Sequence, residues 1–153
     1  LAQIAEEARS LGIADRVHLL GNVDPLRDIP DLLALATLVV MPSKHEAFGL
    51  IALEAWASGK PALLADHSGL ARLGRAFGDG SWLVGSLDPR AWAAAIEAAL
   101  TDPDRRRHAA LRGRALVQSR FDWAVVSTSI SATYQRVLQE HRRNQPGANH
   151  DRH

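Results

Sequence analysis

The chain contains no cysteine among its 153 residues. Disulfides and thiolate metal sites are therefore excluded, and a reducing compartment is compatible with the sequence. Excess charge of either sign is also missing: the formal net charge is +1, so charge alone argues for no nucleic-acid partner. No apolar run approaches the length of a membrane span. The seven histidines lack the spacing of a metal site. Lysine is scarce as well, limited to Lys44 and Lys60. No signal peptide and no internal repeat is evident, and the chain opens with Leu1 directly into a helical pattern. It reads as the C-terminal part of a longer protein, expected in the cytoplasm. What remains is ordinary globular composition, 46% hydrophobic and 23% charged, in a chain long enough for one domain with a real core.

The organising stretch runs from Met41 to Pro61. The apolar run Leu38-Val39-Val40-Met41 is short and does not alternate, as expected of a parallel strand buried on both faces, and Pro42 stops it. A polar loop from Ser43 to Phe48 follows. Gly49 to Ser58 reads as a helix closed by Gly59 and Pro61. Strand, loop, helix and next strand (Ala62 to Ala65) form the unit of an open α/β sheet, which binds ligands at the carboxyl ends of its strands.

Glu54 is the only ionisable residue between Gly49 and Ser58. A helix apolar nearly all round is expected to be buried, and a buried carboxylate needs hydrogen-bond partners. Glu54 therefore either lies on a narrow exposed stripe, pairs with an arginine, or faces a cleft and accepts hydrogen bonds from a ligand's hydroxyls. Glu46 lies eight residues earlier, in the loop ahead of the helix. Glu54 then stands about 7 Å along the helix axis from its start. The N–H groups of Phe48, Gly49 and Leu50 point out of the helix N-terminus and suit an anion, typically phosphate. Gly49 lets a ligand approach the backbone. A phosphate seat flanked by two carboxylates fits a sugar diphosphate nucleoside.

Pro42-Ser43, Glu46-Ala47-Phe48-Gly49-Leu50, Glu54-Ala55 and Gly59-Lys60-Pro61 together resemble the Glu-x7-Glu signature of retaining GT-B glycosyltransferases. The likeness is greatest to the glycosyl transferases group 1, or family 4, type, which includes sucrose synthases, glycogen synthase relatives and many bacterial mannosyl- and glucosyltransferases. It extends over nearly the whole chain. Asp15 to Gly21 resembles the family's preceding strand, Ser81 to Val84 its last strand, and Phe121-Asp122-Trp123 the start of its terminal helix.

The resemblance implies a Rossmann-like, doubly wound parallel sheet, the C-terminal half of a GT-B fold. The expected boundaries are a partial nucleotide-sugar-binding domain at 1–143 and a disordered tail at 144–153. In the family this domain has six strands in the order 3-2-1-4-5-6. Val17 to Leu20 would be strand 3, separated from Leu38 to Met41 by a two-strand gap. The first two strands and the acceptor-binding N-terminal domain are absent, so this chain alone should not transfer sugar.

The implied substrate is a nucleotide diphosphate sugar, with a sugar or lipid-linked acceptor reached through the missing domain, no cofactor and no metal. In the implied roles Glu46 is the catalytic residue that contacts the transferred sugar. Glu54 holds the ribose, the N–H groups of Phe48, Gly49 and Leu50 meet the diphosphate or sugar, and Asn22 and Val23 lie along the base. Lys44, two residues before Glu46, is a phosphate-binding candidate or a plain surface lysine. Arg72 departs from the Gly-Gly-x-x-Glu pattern common in relatives.

Asp102-Pro103-Asp104 matches a metal-binding Asp-x-Asp, but its position between two helices favours capping. The arginines from Arg105 to Arg107, with Arg112, Arg114 and Arg120, form either a solvated face or a peripheral membrane contact. Two other readings stand beside the enzyme: a non-catalytic nucleotide-sugar-binding or assembly module, and a receiver-type regulatory domain. The latter needs acids directly at strand ends, where this chain has Met41-Pro42-Ser43.

Overall fold

The computed structural model describes residues 1–66, 69, 74–76 and 81–144. They divide into two compact units, Leu1–Ala36 and Thr37 onward.

In the first unit, helix α1 (Ala2–Ser10) is ended by Gly12 at φ 67°, a left-handed conformation that glycine adopts without strain. The Gly12 N–H donates to Arg9 O and the Ile13 N–H to Ala8 O, the paired bonds of a Schellman cap. A 3-10 turn, Ala14–Arg16, follows. Asp24 Oδ1 then accepts from the N–H groups of Leu26 and Arg27, while Asp28 Oδ2 accepts from the Asp24 N–H. The sequence suggests a short helix capped at Asp24-Pro25 and a second helical piece from Asp31 to Ala36; instead Asp24-Pro25 makes a turn, and one helix, α2 (Asp28–Leu35), follows.

Val17 to Leu20, expected as a strand, joins no sheet among the described residues. A strand is held by its ladder partners, and this segment has none among the described residues.

The second unit holds a three-stranded parallel sheet in the order β1-β2-β3, where β1 is Val39–Met41, β2 is Ala62–Ala65 and β3 is Ser81–Val84. Val39 is opposite Ala62, and Leu63 is opposite Trp82. The three strands are sequential neighbours, as expected for the last three strands of the doubly wound order. Central β2 is buried at all four positions, and alternation sends its side chains to opposite faces. Ala62 and Leu64 meet Met41, Ala52, Leu53 and Trp56 on one face. On the other, Leu63 and Ala65 meet Val84 and Trp92. Helices therefore cover both faces: α3 (Leu50–Ala57) and α5 (Pro103–Arg120) on the first, α4 (Pro89–Thr101) on the second. This is the Rossmann-like α/β arrangement.

The sequence reads Asp88-Pro89, Asp102-Pro103 and Asp122 as capped helix starts, and each aspartate caps its helix. Asp88 accepts from the Arg90 N–H, Asp102 from the Arg105 N–H at 2.9 Å, and Asp122 from the Ala124 N–H ahead of α6 (Trp123–Asn144). Helix α6 includes Asn144, one residue past the expected boundary, and none of its residues is buried. The four tryptophans differ widely: Trp56 is 0% exposed, Trp92 8% and Trp123 82%, with Trp82 between. The tail after Asn144, Arg72, His67 (by sequence a strand-end residue that could line the cleft) and the turn that Gly78-Asp79-Gly80 suggests lie outside the described residues.

Candidate donor-binding site

At the carboxyl edge of the sheet, the loop that leaves β1 through Pro42 carries Glu46, and Gly69 lies four residues past the end of β2. They are joined where the Gly69 N–H donates to Glu46 O at 3.0 Å. The β1 loop then enters α3 through Gly49, the N-cap residue, at φ 84° and ψ 48°. Only glycine takes this left-handed turn without strain, so the loop can reverse sharply and hold Glu46 against the helix start.

Glu46 is half-buried. Its Oε1 accepts from the Gly49 N–H at 3.1 Å and, more weakly, from the Phe48 N–H at 3.4 Å. The seat expected to be open for an anion is thus occupied in part by the chain's own carboxylate. The reason is the one that made the seat plausible: unpaired N–H groups at a helix start attract negative charge. The Leu50 N–H has no hydrogen-bond partner among the described residues.

Glu54 is exposed. It lies one turn beyond Leu50 on an outward stripe with Ile51 and Ala57, while Ala52, Leu53, Ala55 and Trp56 form the buried side. Helix α3 is therefore not buried all round, as its composition suggests. Its outer face places Leu50 at 62% and Ile51 at 37% exposure beside an acid, an unusual surface to leave in water. No described residue forms an ion pair with Glu54.

The structure brings Glu46, Phe48, Gly49, Leu50 and Glu54 together on the loop and first turns of one helix. Lys44 is exposed on the same loop. Asn22, exposed, and Val23, half-buried, belong to the first unit.

Three features were missed in the sequence. Phe121, just before α6, packs edge-on against Phe48 with ring centroids 6.3 Å apart and 73° between planes. Gly69 lies against the Glu46–Ala47 peptide. Two of the α5 arginines have internal duties: Arg105 stacks over the Trp82 ring at 5.0 Å, and Arg106 donates to Ala99 O and Leu100 O at the end of α4. Only the Phe121-Asp122-Trp123 pattern carried a sequence signal for any of these.

A carboxylate-flanked helix start at the carboxyl edge of a doubly wound sheet lies where open α/β folds seat their ligands. The chain matches glycosyl transferases group 1 over residues 1–116 and belongs to that family. It is 39% identical over 148 residues to a D-inositol 3-phosphate glycosyltransferase of Thermobispora bispora, covering 95% of this chain and 34% of that protein. A D-inositol 3-phosphate glycosyltransferase of Gordonia bronchialis is 37% identical over 141 residues, covering 92% and 30%. The chain thus spans about a third of the length of these relatives.

Among solved structures, it is similar to sucrose-phosphate synthase from Thermosynechococcus elongatus, with TM-score 0.80, 29% identity and coverage of 91% of this chain and 34% of that one. It is also similar to Anabaena HepE in complex with UDP, with TM-score 0.79, 26% identity and coverage of 88% and 36%. The fold is that of the GT-B glycosyltransferases. No helix among the described residues is long and apolar enough to cross a membrane.

Proposed function

We propose that this chain is the donor-binding part of a retaining glycosyltransferase, which moves a hexose from a nucleotide diphosphate sugar to an acceptor hydroxyl. The observation that carries the reading is the pair of carboxylates on one short helix: Glu46 on its N-terminal N–H groups, Glu54 one turn inside on the exposed stripe. Glu54 accepts hydrogen bonds from the ribose hydroxyls. The Leu50 N–H, with those of Phe48 and Gly49 once Glu46 turns toward the sugar, faces the diphosphate or the transferred sugar. Lys44 adds positive charge near the phosphates, and Asn22 and Val23 lie along the base.

In the transfer, the acceptor oxygen bonds to the anomeric carbon on the face the nucleotide leaves. The bond from that carbon to the phosphate oxygen breaks, and the acceptor proton passes to the leaving phosphate. Glu46, at the sugar whose charge and ring geometry change, contributes to transition-state stabilisation. The acceptor is held by a part of the protein outside these 153 residues, and the chain alone is inactive. The relatives make D-inositol 3-phosphate the first acceptor to try, and the HepE complex makes UDP the first nucleotide. The location that fits this chemistry is the cytoplasm, with peripheral membrane contact through the exposed Arg107, Arg112, Arg114 and Arg120 of α5.

The test is donor-saturation kinetics on the full-length protein, with the anomeric configuration of the product read by NMR. Retention is expected, and Glu46→Gln should lower kcat with little change in donor KM. An inverted product refutes the retaining mechanism. Wild-type kcat in Glu46→Gln removes Glu46 from the chemistry. Donor binding without transfer to any acceptor favours the alternative, a non-catalytic nucleotide-sugar-binding module.

A further inference from the structure

Gly69 follows β2, and its N–H reaches the Glu46 carbonyl at 3.0 Å. A Cβ built on Gly69 would lie 2.4 Å from Glu46 O, 2.7 Å from Ala47 O and 3.2 Å from Ala47 C. All three are backbone atoms, so no flexible side-chain tip can swing aside. The φ of Gly69 lies outside the left-handed region, so its backbone conformation is open to any residue and space alone requires glycine here. The Glu46 side chain is tied separately, its carboxylate accepting from the Gly49 and Phe48 N–H groups. Glu46 is thus held through its carbonyl by Gly69 and through its carboxylate by the start of α3.

From this geometry we infer that Gly69 is a positioning residue: by direct backbone contact it sets where the Glu46 carboxylate stands relative to α3. The inference rests on the reading of Glu46 as the group that meets the transferred sugar. A methyl group at position 69 pushes the Glu46–Ala47 peptide away from β2 and carries the carboxylate with it. Glu54 sits on α3 itself, and α3 is anchored by Leu53 and Trp56 in the core. The ribose contact is therefore spared, and the effect falls on the reacting centre. A displacement of order 1 Å in a reacting geometry costs up to about 100-fold in rate.

The test is a double-mutant cycle in the full-length enzyme with Gly69→Ala, Glu46→Gln and both together. Gly69→Ala alone is expected to lower kcat about 10- to 100-fold. Donor KM should stay within about threefold, while the melting temperature falls moderately because the crowded peptide must move. In the Glu46→Gln background the same substitution should add little, because both act through one carboxylate. Hydrogen exchange at the Phe48 and Gly49 amides should quicken in Gly69→Ala, since their acceptor has moved. Full additivity, a pure rise in donor KM, or wild-type kcat in Gly69→Ala overturns the inference.

If Gly69→Ala does not fold, Ala47→Gly takes its place. It loosens the same peptide without bulk, and the absence of coupling to Glu46→Gln is then equally decisive against the inference. Should Glu46→Gln itself keep wild-type kcat, the reading of Glu46 has failed. Loss of kcat in Glu46→Gln with none in Gly69→Ala removes only the role of Gly69.

Discussion

The inner and outer faces of α3 are built from nearly the same residue types and meet different surroundings. Inside, Ala52, Leu53, Ala55 and Trp56 pack against β1, β2 and α5, and Trp56 is among the largest fully buried side chains. Outside, Leu50, Ile51 and Ala57 face solvent beside Glu54. One face holds the fold together; the other leaves apolar surface and a carboxylate exposed. Helix α6 supplies a third case, 22 residues long with no buried residue at all. Hydrophobic composition therefore does not say which apolar residues carry stability. Substitutions on the two faces of α3 should separate stability from binding.

The largest effect is expected on the inner face. Trp56→Ala removes a fully buried ring between α3, the sheet and α5, and should cost about 3–5 kcal/mol by denaturant titration. A loss under about 1 kcal/mol would mean that the ring carries no core, contrary to the packing described.

On the outer face, Glu54→Gln should leave the unfolding midpoint unchanged and weaken donor binding instead. A hydrogen bond to a charged group is worth about 1.5–3 kcal/mol, roughly 10- to 150-fold in affinity. The expected pattern is a raised donor KM with a smaller change in kcat, because the ribose changes little during transfer. If Glu54→Gln shifts the melt and leaves donor KM alone, the division between the two faces is lost.

Gly113 on α5 sharpens the inner face further. A Cβ there would lie 2.5 Å from Trp56 Cδ1 and 2.7 Å from Cγ. Alanine gains about 0.8–1.0 kcal/mol in helix propensity. Overpacking a filled site typically costs about 1–3 kcal/mol. The clash should win, since Trp56 has no free space beside it, and Gly113→Ala should lower stability by about 1 kcal/mol in a denaturant melt. A raised melting temperature would show instead that α5 can retreat from the ring.

The smallest effect belongs to α6. Ile130 is 49% exposed, and Ile130→Thr should stay within about 0.5 kcal/mol of wild type in the 153-residue chain. A loss beyond about 1 kcal/mol would place Ile130 in a packed interface and end its use as a contrast to Trp56.

Much of this fold could be read from local chemistry. Asp88-Pro89, Asp102-Pro103 and Asp122 announced three helix starts, and each aspartate caps its helix. Pro42 and Gly49 bounded the loop that carries Glu46, and the short apolar run from Ala62 to Ala65 gave the central strand. What escaped depends on distant partners. Val17 to Leu20 has strand composition, but strands form only against a neighbour. The bond between Gly69 and Glu46, and the packing of Gly113 on Trp56, join positions 23 and 57 residues apart in the chain. No periodicity signals such contacts. The self-bonding of Glu46 was missed for a subtler reason: the anion-binding power of the helix start was assigned wholly to a ligand, although the nearest anion lies on the chain itself.

The unequal burial of the four tryptophans also has an optical consequence. Acrylamide should reach the indole of Trp123 readily and those of Trp56 and Trp92 hardly at all. Intrinsic fluorescence of the folded chain is thus the sum of a quenchable signal from the first residue of α6 and shielded signals from the two cores. In Trp123→Phe the most accessible emitter is gone, and the remaining spectrum reports chiefly on the packing around the sheet. Unfolding followed by emission and unfolding followed by quenching then view different parts of the same molecule.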